Sequence, residues 1–72
     1  MALDIRQIQV ELFTFLVSKY TTVNTISISV TYGGKMHFVH IDVSDENRRN
    51  CNQHMIVNRI FVTKESISSY FT

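Results

Sequence analysis

Hydrophobic and polar residues alternate on both sides of Gly33-Gly34, across residues 25–43. Alternation with a period of two predicts β-strands, and a two-residue Gly-Gly loop between two such runs predicts a hairpin. Both central positions of a type I′ turn need positive φ, which glycine adopts without steric cost. The sequence therefore predicts a β-hairpin that turns at Gly33 and Gly34.

The short turn also fixes the predicted register of the hairpin. One face is expected to carry the pairs Tyr32–Lys35, Val30–His37, Ile28–Val39 and Ile26–Ile41. The other face is expected to carry the pairs Thr31–Met36, Ser29–Phe38, Ser27–His40 and Thr25–Asp42. The turn and the apolar pattern select the same register independently. A slip by one residue would place serine and threonine in the core, so the register should be well specified.

Residues 3–20 have the periodicity of an amphipathic helix. One apolar stripe is suited to packing on a sheet. Its residues are Ile5, Ile8, Leu12, Phe15 and Leu16. A second stripe of Val10, Phe13 and Val17 is more than one sheet can cover. We expect this second stripe to contact another element, such as the C-terminal segment, or another chain.

The second half of the chain predicts one more strand and a short helix. Residues 44–53 are polar and Asn-rich, and are expected to form a loop or a short helical turn capped by Ser44. Residues 55–63 are rich in branched side chains and predict the third strand. A short last helix is expected to begin at Thr63 or Ser66 and to run through Phe71.

The third strand has two alternative facings. In the first, the inward residues are Ile56, Asn58, Ile60 and Val62. In the second, the inward residues are Met55, Val57, Arg59 and Phe61. We favour the first, because burying an unpaired Arg59 costs more free energy than burying Asn58.

Together these elements predict an α+β fold of one domain over residues 1–72. An N-terminal helix packs on a three-stranded antiparallel sheet, and a short helix or turn ends the chain, in the order α-β-β-β-α. With 44% hydrophobic and 18% charged residues, the chain has the composition of a folded protein.

Cysteine usage and the N-terminal segment bear on the compartment. Cys51 is the single cysteine, so no intramolecular disulfide can form and a reducing compartment is predicted. The apolar run at residues 12–17 is too short to span a bilayer, and no small-residue cleavage site follows it. We therefore expect a cytoplasmic protein, in the host cytoplasm if the chain is viral, without a membrane partner.

The predicted sheet leaves apolar side chains on the face away from the helix. These candidate partner-binding residues are Met36, Phe38, His40, Val57, Arg59 and Phe61. Because monomers rarely expose a large apolar patch, we expect the C-terminal segment, a second copy or a protein partner to cover this face. Phe13 and Val17 of the helix form the alternative binding surface.

The same sheet face suggests nucleic-acid binding as the alternative function. Phe38 and Phe61 would stack on bases, while the candidate phosphate contacts lie on basic residues. These are Arg48, Arg49, Arg59 and Lys35. The formal net charge of +1 is weak for such a role, so protein binding is the favoured hypothesis.

Two His- and Cys-containing dyads have spacings found in zinc sites. They are His37-x-x-His40 and Cys51-x-x-His54. On a regular strand, however, His37 and His40 point to opposite faces, so no metal site and no cofactor are predicted. Cys51 with His54 or His40 resembles a nucleophile and base, but nothing supplies an orienting third group. We therefore predict neither an enzyme nor a small-molecule substrate.

The predicted element order resembles that of double-stranded-RNA-binding domains, although the Lys-rich start of their last helix has no counterpart among residues 63–72. It also resembles the order in small phage-encoded inhibitors of bacterial defence systems. Both are likenesses of topology. The second implies a small inhibitor or regulator that docks onto a host protein or forms a dimer.

Overall fold

The computed structural model describes residues 3–30 and 33–72 and has the predicted order of elements. The helices are α1 (Ile5–Val17) and α2 (Lys64–Ser68), and the strands are β1 (Thr22–Val30), β2 (Met36–Ser44) and β3 (Asn50–Asn58). Short 3-10 turns follow β3 at Arg59–Phe61 and α2 at Ser69–Phe71. The predicted α+β architecture, a helix on a three-stranded antiparallel sheet with a short helix at the end, is confirmed.

The hairpin forms in the predicted register. All pairs predicted between residues 25–30 and 37–42 are present. The pairs that involve Thr31 and Tyr32 lie outside the described residues. Gly33 and Gly34 have φ of +92° and +73°, as the predicted turn requires. A register shift between Val23 and Thr25 marks a bulge near the start of β1, which the alternation did not predict.

Both helical segments pack on the same face of the sheet. Leu12 and Leu16 of α1 are fully buried, as are Ile67 of α2 and Val62 before it. The buried core comprises Leu12, Leu16, Ile28, Val39, Ile41, Val43, Val62, Ile67 and Phe71. Since Ile67 and Phe71 belong to this core, the C-terminal segment lies beside α1 and does not cover the opposite sheet face.

α1 is shorter than the predicted helix and begins after a capping residue. The side chain of Asp4 accepts a hydrogen bond from the backbone N–H of Gln7 at 3.0 Å, which satisfies one of the free N–H groups of the first turn. Thr63 caps α2 in the same way through Ser66, at 3.1 Å. In the described part of the chain, no helix is long and apolar enough to cross a bilayer.

The third strand corrects the predicted boundaries. β3 ends at Asn58, whose side chain accepts from the N–H of Ile60 and starts a 3-10 turn. The N–H of Arg59 donates to the carbonyl of Lys35 at 2.9 Å, which closes the end of the β2–β3 ladder. At its other end β3 begins at Asn50, within the polar segment 44–53 that was predicted as a loop or a short helical turn. The loop between β2 and β3 is therefore limited to residues 45–49.

The favoured facing of the third strand is wrong. Met55 and Val57 point toward the core, whereas Ile56 is exposed on the other face. Ile60 is also exposed, and only Val62 of the favoured inward set is buried. The physical reason is that the chain leaves the strand after Asn58. Arg59 therefore stays exposed beyond the strand and imposes no burial cost on the facing that the protein adopts.

Candidate functional site

The face of the sheet away from α1 and α2, called the outer face here, carries Phe38 and Ile56 toward the hairpin end of its strands. These two residues are directly paired across β2 and β3. Phe38 is 50% exposed and Ile56 is 62% exposed. No described element lies over them, since both helices occupy the other face. The outer face therefore presents an apolar cross-strand pair to solvent.

Next to this apolar pair, two imidazole rings stack across the same strands. The ring centroids of His40 and His54 are 4.0 Å apart and their planes are inclined by 27°. In the other direction along the strands, Met36 pairs with Asn58. The outer face thus combines aromatic and aliphatic side chains with polar ones, as many protein-binding surfaces do.

A cleft extends this surface beyond the edge of β3. It has a volume of about 370 Å³, and Ile56, Phe61 and Tyr70 lie along it. All three side chains are more than half exposed. The floor includes Val57 and Ile67, which connect the cleft to the core. We call it the C-terminal cleft, and because Ile56 belongs to both, it is continuous with the outer face.

The structure places the predicted partner-binding residues in three locations. Met36, Phe38 and His40 lie on the outer face, as the register predicts. Val57 pairs with His37 and points toward the core, so its predicted position on the outer face is wrong. Arg59 and Phe61 lie in the 3-10 turn after β3. The error arose because the sequence does not fix which residues of β3 face the core. Successive residues point to opposite faces, so a shift of one residue places Ile56 and not Val57 on the outer face.

Three residues that contribute to the outer face or the C-terminal cleft were not among the predicted binding residues. They are Ile56, His54 and Tyr70. The sequence signal for the first two was the alternative facing of the third strand, which puts Ile56 and His54 beside Phe38 and His40. Tyr70 has no such signal, since its position depends on how the C-terminal segment docks.

The second helix stripe remains exposed. Val10, Phe13 and Val17 are each about half exposed, and the C-terminal segment does not cover them. Val10 and Phe13 line a groove with Val23 and Ile26 of β1. This surface, the helix stripe, is separate from the outer face because α1 and the outer face lie on opposite sides of the sheet.

The basic residues proposed for nucleic-acid binding do not come together. Lys35 and Arg59 meet through their backbones at the hairpin end of the sheet. Arg48 and Arg49 lie in the β2–β3 loop at the opposite end, about 30 Å away along a nine-residue strand. Arg49 also forms a 2.9 Å ion pair with Asp45. The four cations therefore do not make one positive surface.

The residues of the two dyads also stay apart. His37 is buried toward the core, and its Nδ1 has no hydrogen-bond partner. Cys51 also points inward but pairs with Val43 near the other end of the sheet. His40 and His54 lie on the outer face. Within residues 3–30 and 33–72, no three His, Cys, Asp or Glu side chains are grouped to hold a metal ion.

The thiol of Cys51 lies beside the phenol group of Tyr20. Burial raises the pKa of Tyr20, and the neighbouring Cys51 raises it further by its charge and by a hydrogen bond. Cys51 thus lies next to Tyr20, on the opposite face of β3 from His54. The nucleophile–base arrangement considered for Cys51 and His54 is not assembled.

Comparison with protein-family models, curated proteins and solved structures finds no match to this chain.

Proposed function

We propose that the protein is a non-enzymatic interaction module that binds another protein through the outer face and the C-terminal cleft. The observation that carries this proposal is the direct pairing of Phe38 with Ile56 on a sheet face that no described element covers. Burial of exposed apolar area against a partner is favourable by about 25 cal/mol per Å². The pair would form the centre of the interface, where such burial contributes most to binding.

The shape of the C-terminal cleft favours a protein as the partner. A protruding apolar side chain of a partner would enter between Phe61 and Tyr70 while its surroundings cover Phe38 and Ile56. Arg59, exposed beside Phe61, would contact the polar margin of the same partner. The separation of the basic residues favours this function over nucleic-acid binding, which relies on contiguous positive charge along a phosphate backbone.

The biological role that fits this proposal is that of a small inhibitor or regulator in the cytoplasm of a host cell. The topological resemblance to phage-encoded inhibitors motivates it. Such a protein acts by occupying a surface of its target, so it needs neither a cofactor nor a catalytic group.

The test compares capture of a partner from a lysate by immobilised wild-type protein, a Phe38→Ser/Ile56→Ser variant and a Val30→Ser control. Val30 is exposed at the end of β1 and lies on the other face of the sheet from the apolar pair, so the control removes an exposed apolar side chain elsewhere. We expect a stoichiometric partner that wild type and control retain and the double variant loses. Capture that is equal for all three folded proteins would contradict the proposal.

A further inference from the structure

β1 forms an edge of the sheet and presents its free backbone groups to solvent. Edge strands usually carry charges, proline or bulges, because free N–H and C=O groups otherwise pair with another chain. β1 contains no charged residue and no proline. Its bulge lies near the beginning, between Val23 and Thr25, which leaves residues 25–30 as a regular, uncharged edge.

The helix stripe lies directly beside this edge. Val10 and Phe13 share a groove with Ile26 of β1, and Val17 continues the stripe by one turn. The free edge and the exposed stripe are thus parts of one lateral surface. A partner that pairs with β1 would therefore cover the apolar stripe in the same step.

We propose that this lateral surface is a homodimer interface, in which β1 pairs antiparallel with β1 of a second copy and joins two sheets into one of six strands. The two-fold axis of such a pair is perpendicular to the sheet. It therefore keeps both α1 helices on the same side, where the helix stripes border the new seam. This surface is separate from the outer face, so the inference does not depend on the proposed function.

The alternation of β1 selects the register of the dimer. Directly opposed residues in an antiparallel pair point to the same face, so the axis must pass through a residue and not between two. Ser27 is the central residue of 25–29. With the axis there, Ser27 opposes its own copy, Ile26 opposes the partner's Ile28, and Thr25 opposes the partner's Ser29. Hydroxyl residues thus meet on the outer face and isoleucines on the inner face, without any like charges in contact.

The lateral surface is large enough for a weak dimer. In this register residues 24–30 of the two copies overlap over about 23 Å, and the short dimensions of the molecule are 19 and 17 Å. The shared side wall therefore has roughly 400 Å² per chain, or about 800 Å² for two chains, which is the size of a weak, transient interface. The edge strand itself carries no charge and is complementary to its own copy, while Arg6 of α1 lines the neighbouring groove. Self-association should therefore depend on protein concentration.

Solution mass by light scattering tests this inference over a range of protein concentrations. Wild type is expected to rise from the monomer mass of 8.4 kDa toward twice that value. Ser27→Lys places two like charges opposite each other across the axis, and we expect it to remain monomeric. Phe13→Glu, which introduces charge into the helix stripe, should weaken the dimer by at least tenfold. A mixture of Ser27→Lys and Ser27→Glu should recover the double mass.

The control variant is Asn52→Lys, which adds the same charge at an exposed position of β3, on the other edge of the sheet. It should dimerise like wild type, and the spectra of all variants should show an intact fold. A wild-type protein that stays monomeric at millimolar concentration would overturn the inference. So would a dimer that survives Ser27→Lys and Phe13→Glu but is lost on Phe38→Ser, since the outer face would then be the self-interface.

Discussion

The ring of Tyr20 contacts the ring of Phe71 edge-on, with centroids 6.1 Å apart and planes at 81°. The amino group of Lys19 also donates a hydrogen bond to the carbonyl oxygen of Phe71. These contacts join the end of α1 to the last turn of the described chain. They hold the C-terminal segment on the same side of the sheet as α1, and so leave the outer face open.

Phe71→Ala is therefore expected to destabilise the whole domain. Phe71 is 3% exposed, and truncation of a buried phenylalanine costs about 3–5 kcal/mol through lost burial and a residual cavity. Tyr70→Ala is the matched control, since Tyr70 is 55% exposed and should cost less than about 1 kcal/mol. Chemical denaturation measures both. Equal costs would mean that the last turn is not anchored through Phe71.

The hairpin turn gives a second prediction. Gly34 has φ of +73°, and no atom lies within 4 Å of a Cβ built on it, so any cost of Gly34→Ala comes from the backbone alone. We expect about 1–2 kcal/mol, the penalty of left-handed backbone for an L-residue. Gly33→Asn should change stability by less than about 0.5 kcal/mol, because asparagine favours this position of a type I′ turn. A fully stable Gly34→Ala variant would contradict the turn geometry.

The hairpin was predictable because its information is local. Turn chemistry and alternation act between neighbouring residues, and they set the register of residues 25–30 without reference to the rest of the fold. The position of Phe38 and His40 on one face followed from that register alone.

The end of β3 was not predictable in the same way. The strand stops at Asn58 because a side chain caps the next turn and because Arg59 bonds to Lys35, a residue distant in sequence. The choice between the two facings of β3 depended on whether Arg59 belongs to the strand. With the strand extended past Asn58, the prediction placed Ile56 inward and Val57 outward, the reverse of what the structure shows. The position of Tyr70 could not be predicted from the sequence either, because it depends on the contact between Phe71 and Tyr20, which are distant along the chain.

The β2–β3 loop provides a prediction about pH. The pKa of Asp45 is lowered, chiefly because the N–H of Arg49 donates to its carboxylate, with further donation from the Arg49 side chain and the N–H of Asn47. A lowered pKa in the folded state means that the unfolded state binds a proton more readily. Stability from Asp45 is therefore present above the unfolded-state pKa and is lost as pH falls through the folded-state pKa.

Asp45→Ala should consequently lower the denaturation midpoint at neutral pH, and this difference from wild type should shrink as the solution is acidified below the usual range of aspartate. Denaturant titrations at a series of pH values measure it. Glu46→Gln removes the neighbouring exposed carboxylate and serves as the control, with little effect expected at any pH. A difference between wild type and Asp45→Ala that does not vary with pH would rule out this role of the carboxylate.

Phe38 and Val39 are neighbours on β2 that face opposite sides of the sheet, so they separate binding from folding. Val39 is 2% exposed, and Val39→Ala should cost about 2 kcal/mol through lost burial and a cavity. Phe38→Ala removes a half-exposed side chain and its cross-strand contact with Ile56, which is worth about 0.2–1 kcal/mol.

The comparison of these two variants decides whether the outer face is free for a partner. We expect Phe38→Ala to keep a wild-type-like denaturation midpoint and to lose partner capture, while Val39→Ala shifts the midpoint but retains capture wherever it is folded. Should Phe38→Ala destabilise the protein as much as Val39→Ala, Phe38 would be part of a core in solution. The outer face would then be covered by the protein itself, and the pair of Phe38 and Ile56 could not form the binding surface.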